Sequence, residues 1–244
     1  MDARIRYLAV VSEKPAELAT FYAKHFSMRE LGRSDEGDVA LTDGFYNVSF
    51  LKPRAGLSEP GIRHLGVEID DIRELEGRLE EFAPKSDIRP EAGDLFHGEY
   101  QVFDPNGLTV SVSTRHFNVP ALERGLPAIR HVALSCEKRP EILDFYANVF
   151  GFREAPTPEG RQRRFWAMDG ETALAILPYP VDQDIDTPPP GGWTSRHFKD
   201  GVNHFGFLLQ DLDHFLTTVP KETVSKRPDL SLIHISEPTR QAEI

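Results

Sequence analysis

The chain has 244 residues, 39% hydrophobic and 27% charged, a balance that is typical of globular proteins and excludes wholesale disorder. Its 28 Lys and Arg stand against 39 Asp and Glu, a formal net charge of −11, which disfavours a nucleic-acid partner. One cysteine, Cys136, excludes an internal disulfide framework and a multi-cysteine metal site. No apolar run reaches the ~18 residues that a membrane span needs, and the N-terminus does not read as a secretory leader. We therefore expect a cytoplasmic protein that acts on a small molecule.

The first 50 residues predict a strand, a helix and short strands. Residues 4–11 alternate as a strand does, with Ile5 and Tyr7 on one face. Pro15 suits a first helical turn, and apolar residues then recur with helical spacing up to position 26. Short strands are predicted at 39–41 and 48–50.

Residues 62–113 repeat the same order of elements. A strand at 62–69 precedes a helix whose start, Asp71 with Glu74, resembles a capping box. Two strands, at 100–103 and 109–113, then flank a DPNG turn. The unit is strand–helix–three strands, βαβββ, and it predicts an α+β fold.

The chain also repeats itself on a larger scale. Residues 5–30 align without a gap with 129–154, and 12 of these 26 positions are identical. A second match places 61–67 over 201–207 at an offset of 140 residues rather than 124, and the extra residues fall in a stretch rich in Pro and Gly. Two tandem domains of paired βαβββ units are therefore predicted, at 1–120 and 121–229.

The end of the chain does not continue this pattern. Residues 230–244, LSLIHISEPTRQAEI, resemble the translation of a sequencing adapter, and segments of that kind are excluded from fold reasoning. We expect a non-native tail that follows a truncated C-terminal domain, whose last βαβββ unit stops after its helix.

Histidines at matched positions point to metal chemistry. His204 alternates with Phe205 in a predicted strand, so its side chain should face away from the helix that covers the phenylalanine. His131 is predicted on the equivalent concave face, together with Ile129 and Ala133. Two imidazoles suit Fe, Mn, Ni, Zn or Cu, and a third, carboxylate ligand would leave open coordination positions. A structural or surface role for each histidine is the alternative.

These residues resemble the vicinal oxygen chelate superfamily, which includes glyoxalase I, fosfomycin- and bleomycin-resistance proteins and type I extradiol dioxygenases. The resemblance covers residues 4–229 and is carried by IRH at 129–131, DFY at 144–146, NHFGF at 203–207 and DPNG at 104–107. It implies tandem vicinal-oxygen-chelate domains, each with metal ligands on its first, fifth and last strands.

Transferred residue by residue, the resemblance implies two unequal sites. The C-terminal domain offers His131 and His204 as metal ligands, and a carboxylate expected at about position 251 lies beyond the end of the chain. The N-terminal domain offers Tyr7, His64 and Ser111, of which only the histidine is a good ligand. A vestigial site is therefore expected there.

The arrangement of a degenerate domain before a metal-bearing one implies an extradiol ring-cleaving dioxygenase that acts on a small catechol-type aromatic and O2. Fe(II) is the expected metal, with Mn(II), Zn(II) or Ni(II) as alternatives, and His197 and Tyr179 are the candidates for an acid–base pair beside it. A glyoxalase-like lyase or isomerase and a metal-free small-molecule-binding protein are the competing hypotheses. No nucleic-acid or membrane partner is expected, and a homo-oligomer is compatible with the sequence. With two of three ligands present, we expect this chain to bind metal weakly and to be inactive.

Overall fold

The computed structural model describes residues 1–156, 165–178 and 200–221, together with the backbone of 224–226 and 233–235. The first repeat contains two βαβββ units: β1 (Ala3–Val11), α1 (Pro15–Phe26), β2 (Arg29–Arg33), β3 (Val39–Thr42) and β4 (Asn47–Leu51), then β5 (Gly61–Ile69), α2 (Ile72–Phe82), β6 (Arg89–Pro90), β7 (Tyr100–Phe103) and β8 (Thr109–Ser113). A short 3₁₀ turn, His116–Asn118, follows.

The second repeat begins in the same way. Its elements are β9 (Ala128–Ser135), α3 (Arg139–Phe150), β10 (Arg153–Glu154), β11 (Phe165–Met168), β12 (Ala173–Leu177), β13 (Gly201–Leu208) and α4 (Leu212–Thr218), followed by β14 (Val224–Lys226) and β15 (Ile233–Ile235). No helix among the described residues combines the length and the apolar character needed to cross a bilayer.

Two sheets carry the repeats. The first has the order β2-β3-β4-β1-β5-β8-β7-β6, and the second has the order β10-β11-β12-β9-β13. The second order is that of the first sheet from β2 to β5, so the predicted α+β fold of paired βαβββ units is confirmed. Within the described residues the second sheet stops at β13, and β14 pairs with β15 as a separate ribbon. The domain boundaries at 120 and 229 stay a prediction.

One continuous apolar core joins the two repeats. It contains the helix-facing side chains of both sheets, such as Leu8 and Val132. Helix α1 of the first repeat packs on β13 of the second, where the rings of Phe26 and Phe207 stack at 4.1 Å between centroids. Helix α1 therefore covers the phenylalanine side of β13 and leaves the opposite side for His204.

Matching β-bulges shape the central strand pair of each sheet. Arg6 and Arg63 are the extra residues where β1 pairs with β5, and Arg130 and Asn203 take the same places where β9 pairs with β13. A bulge breaks the strict alternation of faces along a strand. The two residues that flank the extra residue therefore lie on opposite faces rather than on the same face.

The bulge at Arg130 corrects one expectation. Ile129 packs in the shared core with Val132, whereas Ala133, on the face of His131, belongs to a separate apolar cluster on the other side of the sheet. The prediction that Ile129 shares a face with His131 is therefore wrong. Ile5 and Tyr7 are separated in the same way in the first repeat.

Two buried aspartates fasten each repeat to the first strand of the other. The Asp43 carboxylate accepts the backbone N–H of Ile129 at 2.8 Å, and the Asp169 carboxylate accepts that of Ile5 at 2.7 Å. Each aspartate also accepts two backbone N–H groups of its own turn. The two contacts are reciprocal, and they satisfy buried donors that would otherwise lie unpaired.

Replacing Asp43 by alanine should therefore destabilise the chain markedly. The substitution leaves three backbone N–H groups without a partner, and we expect the free energy of unfolding to fall by about 3 kcal/mol. Guanidinium unfolding followed by circular dichroism measures this loss, with the exposed Asp35→Ala as the matched control. A loss below about 0.5 kcal/mol, the range of ordinary surface substitutions, would show that the hydrogen bonds to Asp43 do not stabilise the fold.

Candidate metal centre

The two C-terminal histidines meet on the side of the second sheet that faces away from α3. His131 stands on β9 and His204 on the neighbouring β13, and their Nε2 atoms lie 3.2 Å apart. Both side chains are partly buried. The bulge residue Asn203 places its Oδ1 2.7 Å from Nδ1 of His204. An amide oxygen that accepts the Nδ1 proton leaves the lone pair on Nε2, the tautomer that a metal ligand needs.

This separation fits a pair of metal ligands. A metal–imidazole bond is about 2.1 Å long, so two such bonds at roughly a right angle place their nitrogens about 3 Å apart. The two Nε2 atoms are therefore at ligand spacing from a common point. Among the described residues, however, no group of three or more His, Cys, Asp or Glu side chains is arranged to hold a metal. The structure supplies two donors.

The sheet register defines what surrounds the two imidazoles. Trp166, Ala175, Ala133 and His204 pair in succession across four adjacent strands and form one row. We call this row, together with His131, the histidine face. Ala175 and Ala133 form the middle of the histidine face. The indole ring of Trp166 lies 5.7 Å from the His131 ring, measured between centroids.

The equivalent face of the first repeat also brings its three predicted residues together. Tyr7 lies 5.7 Å from His64 between ring centroids, and Gly66 pairs with Tyr7 on one side and with Ser111 on the other. We call this surface the tyrosine face. Its polar groups are engaged differently from those of a metal site: the Tyr7 hydroxyl donates to the carbonyl of Phe96, and the Ser111 hydroxyl donates to Glu91.

Apolar side chains fill the tyrosine face. Phe117 stacks on Tyr7 at 5.0 Å between centroids, and it lies so close to Gly66 that any larger side chain there would clash with it. Phe96 and Leu95 join the same cluster. The residues expected as a vestigial site are therefore assembled in space, but a second small core occupies the position above them.

The strand register shows where a third metal ligand would lie next to the two histidines. The row Tyr7–Gly66–Ser111 in the first repeat corresponds to a row that begins with His131 and Gly206 in the second. The strand that would extend this row would pair with the far side of β13. The carboxylate expected at about position 251 stays a prediction. His197 and Tyr179, the acid–base candidates, lie outside the described residues.

Sequence reasoning missed two residues of this site. Asn203 belongs to the NHFGF motif, but the motif does not indicate that Asn203 is a bulge residue whose side chain contacts the His204 ring. Trp166 has no motif around it, and it joins the site because its partner in the sheet is Ala175. A helical-wheel or alternation pattern could not have found either residue, since both depend on which strands pair.

Burial of His64 should make the free energy of unfolding depend on pH. Its Nε2 is buried without a hydrogen-bond partner, and desolvation lowers the pKa of the imidazole to about 4 from an ordinary 6.5. The unfolded chain therefore binds the proton more readily, so the stability contributed by neutral His64 is complete above pH 6.5 and is lost as the pH falls toward 4. The full loss is about 3 kcal/mol.

The variant His64→Leu removes this titration. The difference in unfolding free energy between His64→Leu and the parent, measured by urea unfolding at several pH values, should shift in favour of the variant as the pH falls from 7 to 4. The same substitution at the exposed His214 is the matched control. A difference that stays constant across this range would contradict the assignment of a buried neutral imidazole.

Sequence comparison identifies the second repeat. Residues 128–225 match the family model described as the Glyoxalase/Bleomycin resistance protein/Dioxygenase superfamily. No curated protein sequence matches the chain. The matched segment begins with β9 and includes both His131 and His204.

Solved structures share the whole fold at low identity. A Mn(II)-bound glyoxalase from Novosphingobium aromaticivorans aligns over 88% of this chain and 68% of its own, with a TM-score of 0.65 and 17% identity. A variant of 4-hydroxymandelate synthase from Streptomyces coelicolor aligns over 91% and 76%, with a TM-score of 0.65 and 16% identity. The 2,3-dioxygenase LapB from Pseudomonas sp. KL28 aligns over 88% and 77%, with a TM-score of 0.59 and 16% identity.

These comparisons confirm the resemblance that the sequence motifs carried. The fold of both repeats is that of the solved glyoxalase and dioxygenase structures, and residues 128–225 match the model of the Glyoxalase/Bleomycin resistance protein/Dioxygenase superfamily.

Proposed function

We propose that the histidine face is part of a mononuclear metal centre for extradiol-type cleavage of a catechol-type aromatic by O2. The observation that carries the proposal is the convergence of the His131 and His204 Nε2 atoms at 3.2 Å. The dioxygenase and glyoxalase structures that share the fold support metal-dependent chemistry. The choice of ring cleavage among such reactions is our proposal.

The metal would be Fe(II), with Mn(II) as the nearest alternative. When bound, it would supply Lewis acidity and open coordination positions for a catecholate and O2. Among the residues of this chain, His131 and His204 would hold it, and Asn203 would keep the Nδ1 proton on His204. Ala133 and Ala175, next to the imidazoles, are buried under the indole of Trp166 and present only methyl groups, so no polar side chain of theirs competes for the metal.

A third ligand completes the proposed centre. We place it on a strand that would pair with β13 beside Gly206, in the position that β8 takes beside β5 in the first sheet. A carboxylate at that place would stand next to the two imidazoles, as Ser111 stands next to Gly66 in the first repeat. Three ligands leave room for both substrate and oxygen, whereas two neutral imidazoles hold a dication weakly.

The 244-residue chain should therefore retain little Fe(II) or Mn(II) after desalting. Ni(II), which imidazole binds well, should still bind weakly, and His131→Ala and His204→Ala should each lower its affinity by at least tenfold. Isothermal titration measures this, with His64→Ala as the matched control because that imidazole lies under the filled tyrosine face. Stoichiometric Fe(II) in the purified chain would show that two histidines and the residues outside the described ranges suffice.

A protein in which a further strand supplies this carboxylate beside Gly206 should be active. We expect the completed protein to consume O2 with a panel of catechols and to form a yellow ring-fission product, and His204→Ala should abolish both. The control His64→Ala should retain them.

The competing reactions have different signatures in the same experiment. Metal binding without oxygen consumption, together with turnover of a hemithioacetal of methylglyoxal and a thiol, would favour a glyoxalase-like reaction. Aromatic binding that is insensitive to chelators would favour a metal-free binding protein. Either result would overturn the dioxygenase proposal.

A further inference from the structure

An unusual polar atom lies on the histidine face. The indole N–H of Trp166 is shielded from solvent and has no hydrogen-bond partner among the residues that the structure describes. Buried donors in proteins are almost always paired, and leaving one unpaired costs on the order of 1–3 kcal/mol. An unpaired buried donor beside a candidate site therefore requires an explanation.

The position of Trp166 relates this donor to the two imidazoles. Trp166 and His204 are the two ends of a single row, and Ala175 and Ala133 lie between them. The indole packs against the apolar cluster of these alanines, and its ring lies 5.7 Å from that of His131. The indole ring thus lies close to the imidazole of His131.

The first repeat has no counterpart of this donor. In its sheet the equivalent row runs from Ala40 through Ser49 and Ala9 to His64. Ala40 takes the place of Trp166, and its neighbourhood is filled by Leu95 and Phe96. The tryptophan is therefore specific to the repeat whose face carries two histidines.

We infer that Trp166 is a substrate-positioning residue whose indole N–H donates to an oxygen atom of the aromatic substrate. The inference rests on the proposed function, since the substrate is the catechol-type ring proposed to bind at the metal held by His131 and His204. A hydroxyl or phenolate oxygen is the acceptor that an indole N–H can use, because the indole is a donor only. A ligand that brings this oxygen satisfies the donor, and an aromatic without oxygen leaves it unpaired. We therefore expect the site to bind aromatic rings that carry an oxygen substituent more tightly than rings that lack one.

Nuclear magnetic resonance tests the hydrogen bond directly on the full chain. The chain has two tryptophans, so the background variant Trp193→Phe leaves a single indole N–H signal. With saturating Zn(II), which is diamagnetic, addition of 4-nitrocatechol should move this signal downfield, and addition of chlorobenzene, which carries no oxygen, should not. Zn(II) alone should leave it nearly unchanged.

Affinity measurements test the same contact through variants. Trp166→Phe keeps an aromatic ring but removes the N–H, and it should weaken 4-nitrocatechol binding about tenfold, measured by the absorbance of the ligand, while Zn(II) affinity stays within twofold. Tyr146→Phe is the matched control, because it removes another buried polar hydrogen that lacks a partner, from the shared core rather than from the histidine face. It should leave both affinities unchanged.

The outcomes separate this inference from the proposed function. If His131→Ala weakens 4-nitrocatechol binding but Trp166→Phe does not, the donor is not used and the inference fails while the metal centre stands. If Trp166→Phe weakens binding with and without Zn(II) and His131→Ala has no effect, the donor positions the ligand and the metal proposal fails. Absence of binding in the parent chain, or an indole signal that the catechol does not move, overturns the inference.

Discussion

The antiparallel pairing of β9 with β13 is the constraint on which the candidate metal centre depends. It places His131 and His204 on neighbouring strands and on one face, with their Nε2 atoms 3.2 Å apart. Both bulge residues take part. Arg130 separates His131 from the core residue Ile129, and Asn203 precedes His204 and contacts its Nδ1. Bulges next to functional sites commonly re-aim side chains, and here two of them direct imidazoles away from a core that covers the opposite side of the strands.

The first repeat shows what the same ladder does with different side chains. Its bulges are in the same places, yet the row beside them carries tyrosine, glycine and serine, and Phe117 occupies the space above Gly66. The face that could have held a ligand is instead a second apolar cluster that stabilises the repeat. The Tyr7 hydroxyl, bonded to the Phe96 carbonyl, contributes to that cluster. The two repeats therefore share a backbone arrangement, while different side chains make one of the two equivalent faces an apolar core.

Local patterns in the sequence were sufficient for the elements but not for every face. Alternation around Phe205 correctly placed that side chain against the core, because helix α1 covers that side. The same rule misplaced Ile129, since a bulge adds one residue and alternation carries no sign of it. The tyrosine face was predicted from three aligned residues, but its filling was not, because Phe117 and Leu95 come from loops distant in sequence. Trp166 belongs to the site through strand pairing alone, which no single-strand pattern reports.

The space next to Gly206 is wider than the space next to its counterpart Gly66, and this difference bears on where a third metal ligand could lie. Gly206 pairs with His131 across the ladder, and a methyl group added there would only touch the His131 side chain, with 3.4 Å to its Cβ. At Gly66, by contrast, the same addition would collide with Phe117 at 2.6 Å. Within the described residues the space beside Gly206 is thus less crowded than its counterpart, on the side of β13 where the first sheet places β8 next to β5. In the proposed centre, the strand that carries the third ligand would lie on that side of β13. The two equivalent positions therefore differ in the way the proposal requires, since the one beside Tyr7 is filled by Phe117 and the one beside His131 is less crowded.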